Sequence, residues 1–461
     1  MLFYTFVILF FLNFEIIMSF VPNTNEDYEE MLAKIGVSNF EELINNIPES
    51  ARLNEPLDLP DALSELDTIK YLETLAKKNK TASENICFIG GGIYDHYIPE
   101  IVNSILQRPE FKTAYTPYQA EVSQGTLQAM YEFQTMIARL TAMDVSNASL
   151  YDGASALAEA CFMAENHTKK TEFLIAGSVS PFYKQVTSTF TKGRQFTFKQ
   201  FVSQDGTANI DELKSNISQN SAAIIVQNPN FLGNLEDVFE LEKIAHQNNM
   251  MYIAIFNPIS LGLLIPPGKY NADIAVGEGQ SLGIPMSFGG PALGLFTCKE
   301  QFLRLLPGRI SGMSIDKDGN RCFVLTLQTR EQQIKREKAT SNICTNQGLM
   351  MLAATVYLET MGKQGIKEVA EQCYHKAHYL AQRICEIPGF ALFNNKPFFN
   401  EFTIKPKTPA SVIIDRAIDE GFFAGIDTSK YTDFDNGLII AVTEKRTRDE
   451  MDKFVEFLKK M

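Results

Sequence analysis

Residues 222–227 read AAIIVQ and residues 251–256 read MYIAIF, with a helix-forming segment over Asp237–Asn248 between them. The two runs are too short and too uniformly apolar to be surface helices. They predict strands buried on both faces. A strand, a helix and a second strand make a βαβ unit, and such units build a parallel sheet covered by helices on both sides.

The same pattern spreads outward from that unit. Ile86–Ile89 is a short apolar run ending at Gly90, Gly91 and Gly92. Leu127–Met143 carries Leu127, Met130, Ile137 and Leu140 at helical steps, and Phe173–Ala176, Ile274–Val276 and Leu293–Thr297 are further strand candidates. Beyond the middle of the chain, helices are expected over Gln347–Met361, ended by Gly362, and over Ile366–Ile387, stopped by Pro388-Gly389. Phe402–Lys405, Ser411–Glu420, Leu438–Val442 and Arg448–Lys460 complete a smaller set of elements. The expected class is α/β, with a large, mostly parallel domain over 81–340 and a small C-terminal α/β domain over 341–461. Residues 18–80 read as a helical arm. Within it Asp27–Ile35 is stopped by Gly36, and Pro48, Pro56 and Pro60 break the rest of the arm into short pieces.

Bulk properties narrow the function. The chain has 461 residues, 45% of them hydrophobic and 21% charged, the proportions of a globular protein with a substantial core. Its formal net charge of -13 argues against non-specific binding to nucleic acid or to an anionic membrane, both of which would repel it. The seven cysteines are odd in number, scattered, and without zinc-like spacing, so reduced thiols in a cytoplasmic protein and no metal site are expected. Asn-x-Ser/Thr triplets at Asn147 and Asn166 then carry no meaning.

Residues 1–17, MLFYTFVILFFLNFEII, are nearly all apolar. They lack the positive start of a signal peptide and the flanking charge and length of a membrane span, which needs about 20 residues. Met18 opens an ordinary start, so 1–17 is expected to be an extension that precedes the true initiator.

Four segments can carry chemistry. GEGQS, Gly277–Ser281, follows a strand and could line a cofactor pocket, or simply pack a tight turn. Asp152-Gly153-Ala154-Ser155 opens an Ala-rich helix, whose free N–H groups suit an anion unless Asp152 or Ser155 caps them. TAYTPYQAEVSQG, Thr113–Gly125, and GGGIYDHY, Gly90–Tyr97, are dense in tyrosines and polar side chains, as a pocket wall or a surface loop would be. REKATSNICTNQ, Arg336–Gln347, places Thr340, Ser341, Asn342, Thr345 and Asn346 before a helix, as an N-cap box or as a cleft between domains.

Taken together, TAYTPYQAEVSQGTLQAMYEFQTMIARLTAMDVSNASLYDGASALAEA, VQNPNFLG, PISLGLLIPPGKYNADIAVGEGQSLGIP, PGRISG, FVLTLQTREQQIKREKATSNICTNQ and KPFFNEF resemble the P-protein of the glycine cleavage system. The resemblance is stronger to the α-type subunit, subunit 1, of its split form, and runs from about Met18 to the C-terminus. It implies a fold-type-I architecture like that of pyridoxal-phosphate enzymes. It implies decarboxylation of glycine and transfer of the aminomethyl group to the lipoyl arm of the H-protein. It implies a heterotetramer with a lysine-bearing subunit 2.

Enzymes of that fold type use a lysine for the Schiff base, an aspartate to keep the ring nitrogen protonated, and small residues at a helix start to hold the phosphate. This chain departs at two of these points. Gln280-Ser281 stands where the partner has His-Lys, so the Schiff-base position corresponds to Ser281, and Asn257 stands where the aspartate is expected. An amide cannot hold the ring proton as a carboxylate does. Between Asn257 and Leu306 the lysines are Lys269 and Lys299, and neither position suits the aldimine. The resemblance therefore implies that pyridoxal phosphate is bound covalently by the partner. Tyr115, Tyr118, Gln119, Glu121, Ser123 and Gln124, with Tyr94 and His96, are expected to shape that partner's pocket. The alternatives are a scaffold that only stabilises the partner, and a self-sufficient enzyme using an unexpected lysine.

Overall fold

The computed structural model describes residues 22–461, apart from Asn54, Pro56 and Thr340. The expected extension over 1–17 lies outside the described residues, as does Thr340. The chain divides into two compact units at Asn79/Lys80. The first is helical, with helices at Asn25–Ile35, Phe40–Leu43 and Glu65–Ala76. Thr24 and Asp27 form a capping box at the start of the first helix, and Gly36, at φ 90°, ends it.

The second unit contains all the strands among the described residues. They are β1 (Ile86–Cys87), β2 (Val145–Ser146), β3 (Glu172–Ala176), β4 (Thr197–Phe201), β5 (Ser221–Asn228), β6 (Met251–Phe256), β7 (Ile274–Glu278), β8 (Gly294–Cys298), β9 (Ile310–Ile315), β10 (Arg321–Thr326), β11 (Ala391–Leu392), β12 (Glu401–Lys405), β13 (Phe422–Phe423), β14 (Ile426–Asp427) and β15 (Leu438–Ala441). A seven-stranded sheet runs in the order β2-β8-β7-β6-β5-β3-β4. Pairings from β4 through β7 are parallel, while β8 is antiparallel to both β7 and β2.

Alternate residues of the central strands feed two separate cores, one on each face. Tyr252, Ala254 and Phe256 pack on one side with Leu241 and Tyr357, while Ile253 and Ile255 pack on the other with Leu157 and Phe173. Burial on both faces is why MYIAIF has no polar position, and it fixes the register, because a one-residue slip would exchange the faces.

A four-stranded antiparallel sheet, β11-β12-β15-β14, forms a second layer around Phe402, Ile440 and Phe454. The run at 86–89 joins this layer: Ile86 and Cys87 pair with Phe422 and Phe423, and Phe88 is fully buried in its core. The helical stretch Gly348–Cys385 spans both layers and is interrupted at Gly362, whose φ of 59° and ψ of -176° are not helical. The two helices expected on either side of that glycine are therefore present. Among the described residues no helix is long and apolar enough to cross a membrane.

Candidate functional site

In a parallel sheet, ligands bind beyond the carboxyl ends of the strands. At those ends of β5, β6 and β7 lies a small cavity of about 30 Å³, lined by Gly92, Tyr94, Tyr183, Asn257, Ser281 and Glu401 among others. Tyr94, Asn257 and Ser281, named separately from the sequence, are therefore brought together. Each has a local reason for its place. The Asn257 side-chain oxygen accepts the Ile259 amide at 3.0 Å, closing the turn that ends β6. Ser281 is buried, and its Oγ has no hydrogen-bond partner among the described residues. Gln280 accepts the Tyr94 amide at 2.9 Å and donates to the Tyr94 and Ile284 carbonyls at 3.1 and 2.7 Å, so it is a fastener between two segments.

Glu278, which the sequence reading did not single out, dominates the site. Its Oε2 accepts the Gly153 amide at 2.9 Å, and its Oε1 accepts the amides of Gln280 at 3.0 Å and Leu293 at 2.9 Å. Gly153 is the first residue of the helix Gly153–Thr168, whose N-cap Asp152 forms a capping box with Ser155. The N-capping alternative is therefore correct, and the expected open anion site is corrected. The helix start is already filled, by the chain's own carboxylate. Burial pushes Glu278 up to about 7 against the opposing pull of these three amides.

The glycines of GEGQS are corrected in the same way. A Cβ on Gly277 would lie 2.5 Å from the Phe256 carbonyl, so that glycine lets strands approach, with no ligand involved.

A second buried carboxylate closes the opposite wall. Glu401 accepts the Gly91 amide at 2.6 Å and the Tyr94 hydroxyl at 2.9 Å, and burial pushes it up to about 7. The glycine run at 90–92 is required here, because a Cβ on Gly90 would lie 2.2 Å from Glu401 Oε1. Burial also holds the hydroxyls of Tyr94 and Tyr183 protonated, well above their ordinary range.

These residues do not fit pyridoxal phosphate. No lysine lines the cavity. Lys299 donates to Asp273 at 2.6 Å at the start of β7, and Lys269 lies in the turn Pro267–Tyr270 that precedes it, whereas Ser281 lies beyond the far end of that strand. The helix start at Gly153 is occupied by Glu278, two buried glutamates would oppose a dianion, and about 30 Å³ admits a water or two at most.

The remaining sequence candidates lie elsewhere. His96 is buried, with Nδ1 2.7 Å from Glu444 Oε2, and Cys373 Sγ donates to the same oxygen at 3.4 Å. Tyr115, Tyr118, Gln119 and Glu121 are exposed on the loop before the helix Gln124–Thr141. Tyr118 donates to Gln333 at 3.2 Å, and its ring faces Arg309, with 5.5 Å from Cζ to the centroid. Ser123 is the N-cap residue of that helix but makes no side-chain capping bond. Gln124 grips β10, donating to the Phe323 carbonyl at 2.8 Å and accepting its amide at 2.9 Å. In the segment 336–347 the expected N-cap box is absent, because the helix starts at Gly348 with no side-chain cap. Thr345 and Asn346 instead accept from Arg309 at 3.1 and 3.2 Å.

Comparison with known proteins places this geometry. A family model described as glycine cleavage system P-protein matches residues 18–458. A protein of Chloroherpeton thalassium named "Probable glycine dehydrogenase (decarboxylating) subunit 1" is 52% identical over 444 residues, covering 96% of this chain and 100% of the relative. A crystal structure of glycine decarboxylase (P-protein) of the glycine cleavage system, in inhibitor-bound form, superposes with a TM-score of 0.89 at 40% identity, covering 96% of this chain and 99% of the other. A glutamate decarboxylase of Lactobacillus brevis shares the fold alone, with a TM-score of 0.66 at 13% identity over 90% of this chain and 96% of the other. The architecture is thus fold type I.

Proposed function

The chain belongs to the glycine cleavage system P-protein family, and on that premise we propose that it is the lysine-less subunit of a split glycine dehydrogenase (decarboxylating). In this reading it pairs with a lysine-bearing subunit 2 that holds pyridoxal phosphate covalently and supplies the electron sink for loss of CO2. The substrates are glycine and the lipoyl arm of H-protein, and the assembly is a cytoplasmic heterotetramer.

One observation carries the assignment of roles. The cavity lined by Ser281 holds no lysine, and the start of the helix Gly153–Thr168 beside it is filled by Glu278. A site so arranged is a packed structural centre. In this reading the exposed loop that carries Tyr115, Tyr118, Gln119 and Glu121 reaches the partner's pocket. The grip of Gln124 on β10 holds the C-terminal end of that loop in place. Tyrosine hydroxyls and a carboxylate on a fixed loop can orient a substrate amine or carboxylate and narrow the entry of water.

The test is reconstitution with subunit 2. The chain alone, mixed with pyridoxal phosphate and then reduced with borohydride, should show no covalent adduct. Tyr118→Phe and Glu121→Gln should each lower turnover of the assembled pair by roughly tenfold or more, with assembly intact. Unchanged turnover in both would make the chain a scaffold only.

A further inference from the structure

Away from that cavity, one buried cation has no counter-charge among the described residues. Arg309, which precedes β9, is only 5% exposed. Its Nη1 donates to Thr345 Oγ1 at 3.1 Å and Asn346 Oδ1 at 3.2 Å, and its Nη2 donates to the Cys344 carbonyl at 2.9 Å. All three acceptors are neutral, and the Nε–H has none among the described residues. The comparison within the same fold is Arg446, 4% exposed, which donates to Asp95 at 3.1 Å. Arg446 also leaves its Nε unpartnered, so the difference between the two lies in the missing carboxylate. A buried guanidinium held only by neutral groups is costly unless an anion completes it.

The missing charge has a place to sit. Arg309 lines a cavity of about 350 Å³ together with Tyr115, Thr116, Thr345 and the start of the helix Gly348–Cys385. That helix runs unbroken to the interruption at Gly362, has no side-chain cap at its N-terminus, and has no acidic residue in its first turn. Its unsatisfied N–H groups and the positive end of its dipole therefore meet the guanidinium at one cavity.

We propose that this cavity binds a small oxyanion, a carboxylate or a phosphate group, against Arg309 and the amides at the start of the 348–385 helix. The volume suits the anionic end of a small metabolite. The same chemistry can come from a free molecule or from a group held by subunit 2 where the two subunits meet. The site stands on this chain alone and does not rest on the subunit reading.

The experiment is a titration of inorganic phosphate into the full chain at constant ionic strength, with chloride as the control, followed by calorimetry and thermal unfolding. Saturable binding and a raised Tm are expected, with at least a tenfold weaker affinity in Arg309→Gln. Because that variant alters a buried network, Leu349→Asp provides a second arm. A carboxylate in the first helical turn should raise Tm without phosphate and abolish the response to it. Equal melting of the wild-type chain in phosphate and chloride, with no binding heat, would overturn the site. So would a phosphate response that survives in both variants. Repeating the titration on the assembled pair separates the sources. Retained binding assigns the site to a free ligand, and binding lost only on assembly assigns it to an oxyanion of subunit 2.

Discussion

The carboxylate of Glu278 lies 2.9 Å from the backbone amide of Gly153, at the start of the helix Gly153–Thr168, where free N–H groups would otherwise suit an external anion. Together with the amides of Gln280 and Leu293 it forms a closed anion site whose anion is covalently part of the chain. The cavity therefore lacks a lysine and also has its helix-start anion site already filled.

A lysine returned to position 281 should therefore fail by itself. Ser281→Lys, mixed with pyridoxal phosphate and borohydride, is expected to give no stable adduct. Ser281→Lys combined with Glu278→Ala should give one, located by mass spectrometry on the introduced lysine. Equal labelling of the single and double variants would show that the carboxylate is no barrier.

Much of this was legible in the residues. MYIAIF at 251–256 and AAIIVQ at 222–227 were read as buried strands because both faces are covered, so no polar residue interrupts them. The strand Thr197–Phe201 escaped because it lies at the sheet edge and the adjacent Lys199 and Gln200 interrupt its apolar residues. The hairpin Ile310–Thr326 escaped because PGRISG reads as a turn and its strands are half exposed. Ser281 and Asn257 were named without coordinates, as the places where the resemblance expects a lysine and an aspartate, and the structure puts both on one cavity. Glu278 was not, since its role depends on where the end of β7 points. Its signal was an acid between Gly277 and Gly279 at the close of an apolar strand, a place where a charge must find partners. Arg309 escaped for the same reason: an arginine's missing partner is a fact of three dimensions.

Gly153 should tolerate no side chain. A Cβ there would lie 2.1 Å from the Tyr183 hydroxyl and 2.9 Å from the Glu278 amide nitrogen. Gly153→Ala is expected to cost about 1–3 kcal/mol through overpacking, read from urea unfolding. Adding Tyr183→Phe removes the nearer obstacle and should recover part of the loss. A strictly additive pair would place the clash elsewhere.

Glu401 should make stability fall as the pH rises. Burial lifts it from an ordinary value of 4.5 to about 7, so between those values the folded chain holds a proton that the unfolded chain has released. Its contribution is full below about 4.5 and is lost by about 7. Glu401→Gln keeps an acceptor for Gly91 but cannot ionise. It should make the fall in unfolding free energy across that window shallower, by an amount on the order of 1–3 kcal/mol. Urea unfolding at the two ends of the window tests this, and an unchanged slope would mean that Glu401 is already charged at the acidic end.

Glu444 should act in the opposite direction. Burial would raise its carboxyl, but the hydrogen bond and charge of His96 and the amide of Tyr97 outweigh burial and hold it at about 2. The folded value lies below the unfolded 4.5, so this stability is full above about 4.5 and is lost as the pH falls toward about 2. Glu444→Gln removes the carboxylate that lies 2.7 Å from His96 Nδ1, on a side chain only 2% exposed. The expected cost at neutral pH is about 1–3 kcal/mol, the range for losing a buried hydrogen-bond partner. Below pH 4.5 the wild-type carboxylate loses its own advantage by protonation, so the difference between the two chains should shrink steadily with acid. The Lys376 ammonium contacts the Glu444 backbone carbonyl and not its side chain, so it cannot mask the effect. Unfolding free energies of both chains, tracked from neutral pH down to about pH 3, decide the matter. A gap that narrows with acid identifies the His96–Glu444 pair as the clamp between the 90–97 loop and the C-terminal layer. A constant gap would assign the loss to packing alone.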